Sequence, residues 1–125
     1  MRVKIFLVIV VFAASPLAAQ QSFEAKLSDA AIALTHQPVI YDPAYFSIDY
    51  PNGDVPANKG VCTDVIIRAY RKVGIDLQKE VHEDMKHDFE SYPQLWGLRK
   101  KDANIYHRRV PNLMLYFEKH GQVKP

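Results

Sequence analysis

The sequence has almost no cysteine. Cys62 is the only one in 125 residues, so no disulfide can close within the chain. There is also no apolar run long enough to cross a bilayer. The longest, residues 5–14, has ten residues, against the ~20 that a spanning helix needs. Internal repeats and low-complexity tracts are absent. So is the charge excess of a nucleic-acid binder. The net charge of +2 comes from 16 Lys+Arg against 14 Asp+Glu, and setting aside Arg2 and Lys4 leaves 14 against 14.

Arg2 and Lys4 are set aside because residues 1–19 read as an export signal. A short basic start precedes the apolar run, and Ser15-Pro16-Leu17-Ala18-Ala19 then supplies a break and small residues. Cleavage is expected after Ala19, although Leu17 makes the motif imperfect. Residues 20–125 are then one small domain in an oxidising compartment, periplasmic or secreted, with no stable membrane anchor once the signal is removed. An unpaired thiol in such a compartment draws attention to Cys62.

Cys62 opens the clearest helix pattern in the chain. Cys62, Val65, Ile66, Ala69, Tyr70 and Val73 recur at three- and four-residue steps, which places them on one expected buried face. Arg68, Arg71 and Lys72 fall elsewhere, toward water and the negative end of the helix. Gly74 is positioned to stop it in a left-handed cap. Free N–H groups at a helix start favour a thiolate. Two readings of the thiol stay open on pattern alone: a small hydrophobe in the core, or a nucleophile.

The spacing predicts a first helix over residues 22–36, with Phe23, Leu27, Ala30, Ala31 and Leu34 as its stripe and Pro38 beyond its end. Residues 45–50 alternate well enough for one strand, followed by the turn Pro51-Asn52-Gly53-Asp54. The tyrosines of this region, Tyr50 among them, are candidates to line a site. A third helix is expected over residues 76–91, with Leu77, Val81, Met85 and Phe89 buried. It carries His82-Glu83-Asp84-Met85-Lys86-His87, which is not a zinc-protease motif. Its histidines are five apart, about 140° around the helix instead of on one face. Neither a metal nor a cofactor is expected. Pro111 suits the first turn of a last helix with Val110, Leu113, Met114 and Phe117 inward. His107, Arg108 and Arg109 precede it, and two readings stay open: a group that holds an anion, or an exposed basic loop with local salt bridges, which composition favours.

These residues carry a family resemblance. Gly60-Val61-Cys62-Thr63-Asp64-Val65-Ile66-Ile67-Arg68-Ala69-Tyr70, Gly74-Ile75-Asp76-Leu77-Gln78, Val81-His82-Glu83-Asp84-Met85, Tyr92-Pro93, Trp96-Gly97-Leu98 and His107-Arg108-Arg109-Val110-Pro111-Asn112-Leu113 resemble the bacterial domain-of-unknown-function family 1287. That family is grouped with NlpC-like, papain-superfamily cell-wall amidases and peptidases. The resemblance implies an α+β fold, the mostly helical N-terminal portion of a papain-like cysteine hydrolase. It implies Cys62 as nucleophile. It also implies a strand-rich continuation, with a Gly-Asp turn and a His-Ile-Gly strand bearing the base. No such segments follow Gly121, so the domain is expected to be incomplete.

The expected site is therefore Cys62 with His107 as substitute base, and Arg108, Arg109, Tyr50 and Asp64 binding substrate. The expected function is a periplasmic cysteine amidase or peptidase acting on peptidoglycan or other envelope peptides, impaired by the missing base. The alternatives are a non-catalytic module binding envelope peptides or protein, or a truncated remnant. The apolar faces of the Cys62 helix and of residues 110–117 are expected to lie partly uncovered, available to a partner protein.

Overall fold

Ser22 caps the first helix, its hydroxyl accepting from the Ala25 N–H at 3.2 Å. The structure, a computed structural model, describes residues 20–97 and 100–121; the expected export signal lies outside the described residues. Helix α1 spans Phe23–Leu34. It stops short of His36 because Thr35 turns back, its Oγ1 donating to the Ile32 carbonyl at 2.7 Å. Three further helices follow: α2 (Cys62–Lys72), α3 (Leu77–His87) and α4 (Val110–His120). Short 3₁₀ turns occupy Phe89–Ser91 and Tyr106–Arg108. About half of the described residues are helical, and the only sheet among them is a two-stranded parallel pair, so the fold is mixed α+β.

That pair corrects the expected strand. β1 is Ile40–Tyr41 and β2 is Lys59–Gly60, with Ile40 opposite Lys59 and Tyr41 opposite Gly60. Residues 45–50 form no strand. Alternation makes a strand only where a neighbouring edge can pair with it. Here the backbone is satisfied by side-chain amides instead: the Ile48 N–H donates to Asn104 Oδ1 at 3.0 Å, and the Asp49 carbonyl accepts from Gln78 Nε2 at 2.8 Å. The turn after it is tight. A Cβ on Gly53 would lie 1.9 Å from the Asp49 carbonyl oxygen, which excludes any side chain there.

Helix α2 ends as expected. Gly74 takes φ 91°, the Gly74 N–H reaches the Arg71 carbonyl and the Ile75 N–H reaches the Tyr70 carbonyl, both at 3.0 Å. These are the two bonds of a Schellman motif. Its buried face is the expected one only in part: Ala69 is buried and Tyr70 packs against the core, as expected. Thr63, Asp64, Ile67 and Ala69 are buried, whereas Cys62 is exposed and Val65 and Ile66 are 49% and 41% exposed. The inward side is one residue further round because it holds a paired carboxylate, which hydropathy alone reads as a polar face. The arginines also depart from expectation. Arg68 bonds Asp54 and the Val55, Pro56 and Lys59 carbonyls, and Arg71 bonds the Gly53 carbonyl. Both pin the loop that leads back to Cys62.

Asp76 caps α3 by accepting from the Gln78 N–H at 3.1 Å. Leu77, Val81 and Met85 point inward as the period of four requires. With Ile67, Tyr92, Tyr106 and Leu113 they form the core. Each fully buried side chain of this kind contributes about 1.5–3 kcal/mol. In α4 Pro111 sits in the first turn. Leu113 is buried, but Val110 and Met114 are 47% and 58% exposed, against expectation. The helix is rotated so that Asn112 points inward, its Nδ2 donating to the Tyr106 carbonyl at 3.1 Å. Asp84 ties α3 to α4. Burial alone would raise its pKa, but bonds from Lys119, Tyr92 and His120 outweigh that and hold it at about 2.

Candidate functional site

The start of α2 is built by Asp64. Its Oδ2 accepts the Val61 N–H at 2.7 Å, while its own N–H donates to the Val61 carbonyl at 3.0 Å. The same carboxylate meets Arg108 side-on. Nε lies 2.8 Å from Oδ1 and Nη2 lies 2.9 Å from Oδ2, and the two side chains are 2% and 3% exposed. Thr63 Oγ1 adds a bond to the Arg108 carbonyl at 2.9 Å. A bidentate, buried pair fixes angle as well as distance. It locks the first turn of α2 to the turn that precedes α4.

The consequence is a cleft of roughly 270 Å³ between those two helix starts. Tyr41, Pro43, Cys62, Trp96, Arg109 and Val110 are among its lining residues. Cys62 is the first residue of α2 and its side chain is exposed, which removes the core reading of the thiol. The N–H groups of a first helical turn have no partner within the helix, so the N-terminus of α2 offers donors beside the sulfur.

The remaining expected site residues are dispersed. Asp64 and Arg108 are paired with one another and almost wholly buried; Arg108 lines the cleft, and Asp64 does not. Tyr50 sits over α3, where its hydroxyl donates to Glu83 at 2.7 Å and its ring meets His82 edge-on at 4.9 Å. Burial, and then the Glu83 carboxylate, push that hydroxyl up to about 12. It does not line the cleft. His107 is 3% exposed, makes no hydrogen bond to Cys62, and lies outside the cleft lining. Its Nδ1 is buried without a partner. Burial, with the Arg108 charge behind it, lowers its pKa to about 4. The structure thus keeps His107 as a neutral interior imidazole. Among the described residues, neither a histidine nor a carboxylate lines the cleft.

Arg109 also lines the cleft, and unlike Arg108 it has no carboxylate partner among the described residues. Its guanidinium lies 4.5 Å from the centroid of Trp96. Trp96 itself had no place in the expected site beyond belonging to a family motif. The available signal was the adjacency of the chain's only tryptophan and a glycine within an irregular stretch. Both take left-handed backbone, with φ 59° at Trp96 and 66° at Gly97. That conformation is unusual for a bulky side chain and is found where surroundings over-determine it.

A family model described as "Domain of unknown function (DUF1287)" matches residues 28–125. The protein named "Uncharacterized protein YijF", from Escherichia coli (strain K12), is 55% identical over 87 residues, covering 70% of this chain and 42% of that protein. The chain therefore spans less than half the length of this curated relative. No solved structure matches.

Proposed function

The chain belongs to the DUF1287 family, and on that premise we propose that it carries the thiol-bearing part of an NlpC-like, papain-like cysteine amidase or peptidase acting on peptidoglycan or other envelope peptides. The supporting observation is the exposed Cys62 at the first position of α2, in a cleft whose walls are held by the Asp64–Arg108 pair. In this reading the Cys62 thiolate attacks an amide carbonyl. Backbone N–H groups at the start of α2 stabilise the oxyanion. Collapse of that intermediate expels the amine, which takes up a proton, and leaves an acyl thioester that water hydrolyses. The protein acts outside the cytoplasm, after loss of the leader.

Such a thiol needs a base within hydrogen-bond reach, and none lines the cleft among the described residues. The base is therefore supplied by a second unit. That unit is the part of the longer relatives that this chain does not span, or a partner seated on the exposed Val65, Ile66, Val110 and Met114. Without it the rate falls by about 10²–10⁴. The same observation favours a second reading, a module that binds envelope peptides without cleaving them. Iodoacetamide labelling of the folded protein tests the first reading, together with amine release from peptidoglycan. Labelling of folded protein at Cys62 and weak amine release, lost in Cys62→Ser, are expected. A thiol that labels only after denaturation would overturn it, and labelling with no release at all would favour the second reading.

A further inference from the structure

Four arginines lie among the described residues, and three of them hold a carboxylate. Arg68 and Arg71 share Asp54, and Arg108 holds Asp64. Arg109 has no carboxylate partner among the described residues, and its Nε is buried without a hydrogen bond. A charged donor left unpaired at a protein wall is costly unless a partner arrives. The Arg109 side chain is nonetheless held in one place, over the half-exposed Trp96 ring at 4.5 Å. Trp96 presents that ring from a left-handed backbone, a conformation that costs about 1–3 kcal/mol. Both residues line the cleft that contains Cys62.

We propose that Arg109, seated on Trp96, is the carboxylate-binding group of the Cys62 cleft, so that the ligand is a peptide or acyl amino acid carrying a free carboxylate close to the bond offered to Cys62. This rests on the cleft being a substrate site, as proposed above, and it names the class of substrate. The planar guanidinium matches a planar carboxylate bidentately. Tyr41, Pro43 and Val110 leave the rest of the lining largely apolar, suited to the body of an amino-acid residue more than to a compact hydrated anion. The volume of roughly 270 Å³ is below the usual range for a drug-sized ligand, about 300–1,000 Å³. A residue or two fills it. Arg108, adjacent in sequence and also in the lining, is the weaker candidate, because its charge is already neutralised by Asp64, which takes its Nε and Nη2 donors.

Trp96 is the only tryptophan in the chain, so its emission reports on this site alone. The purified protein is titrated with N-acetylalanine, in both hands, and separately with the corresponding N-acetylalanine amides. Saturable change in Trp96 emission is expected with the carboxylates, and binding about tenfold or more weaker with the amides. Arg109→Gln should lose the discrimination, and Arg109→Lys, which keeps charge but not the planar fork, should recover it only in part. Equal binding of acid and amide, or acid binding within about threefold of the parent in Arg109→Gln, would overturn the proposal. Cys62→Ser separates the two ideas. If it binds the carboxylates while Cys62 proves inert to alkylation, the catalytic reading alone fails. If Cys62 alkylates in the folded protein but no carboxylate binds, the Arg109 assignment alone fails.

Discussion

Replacing Asp64 by alanine distinguishes a structural role for the Asp64–Arg108 pair from a substrate-binding one. The two groups meet at 2.8 and 2.9 Å and are 3% and 2% exposed. Asp64→Ala removes the carboxylate, strands the Arg108 guanidinium in the interior and frees the Val61 N–H at the start of α2. Removing one partner of a buried pair costs about 3–5 kcal/mol, because the other charge stays buried. A domain of this size has roughly 5–15 kcal/mol of stability in total, so the variant sits near the edge of folding. Arg108→Met should be similarly damaging. The double variant Asp64→Ala/Arg108→Met should be less destabilised than the two losses added together, since no uncompensated charge remains. Urea unfolding followed by circular dichroism gives all four corners of the cycle. If Asp64→Ala instead changed stability by less than about 0.5 kcal/mol while weakening ligand binding, the pair would face a ligand and the reasoning would be refuted.

Three further outcomes follow from the geometry. His107 is held neutral, with its pKa lowered from 6.5 to about 4. The unfolded chain therefore takes up a proton below 6.5 that the folded one refuses, so stability should be flat above that pH and fall by at most about 3 kcal/mol between pH 6.5 and 4. Urea midpoints against pH should show this slope, reduced in His107→Gln. Gln78 donates to the Asp49 and Ala103 carbonyls and accepts from Gly53; Gln78→Leu should cost about 2–4 kcal/mol by leaving these groups unpaired, read as a lower urea midpoint. The exposed Val65, Ile66, Val110 and Met114 should make the isolated protein bind an apolar dye such as anilinonaphthalene sulfonate, and Val65→Ser/Ile66→Ser should reduce that signal without loss of stability.

Local rules settled much of the chain. Four helices were legible because their apolar spacing and their terminators are short-range signals: Gly74 as a left-handed stop, Pro111 in a first turn. Cys62 at a helix start was legible for the same reason. Its exposure was not, since periodicity finds a hydrophobic stripe without knowing what covers it. Val65, Ile66, Val110 and Met114 read as core and lie open.

What only the tertiary structure decided is the assignment of the polar residues. Asp64 and Arg108 are 44 positions apart, and no local pattern says that they meet. Once they do, the low-dielectric interior binds them to each other and removes both from the surface. The same long-range pairing rotates α2 and buries His107 away from the thiol. It leaves Arg109 alone among its neighbours to stack on Trp96. The sequence by itself determined that there are four helices, close to where each begins, and that the thiol heads one of them. Which charges are spent holding the fold, and which one remains free beside Cys62, depended on contacts between residues far apart in the chain, because pairing energy is set by distance and burial in space.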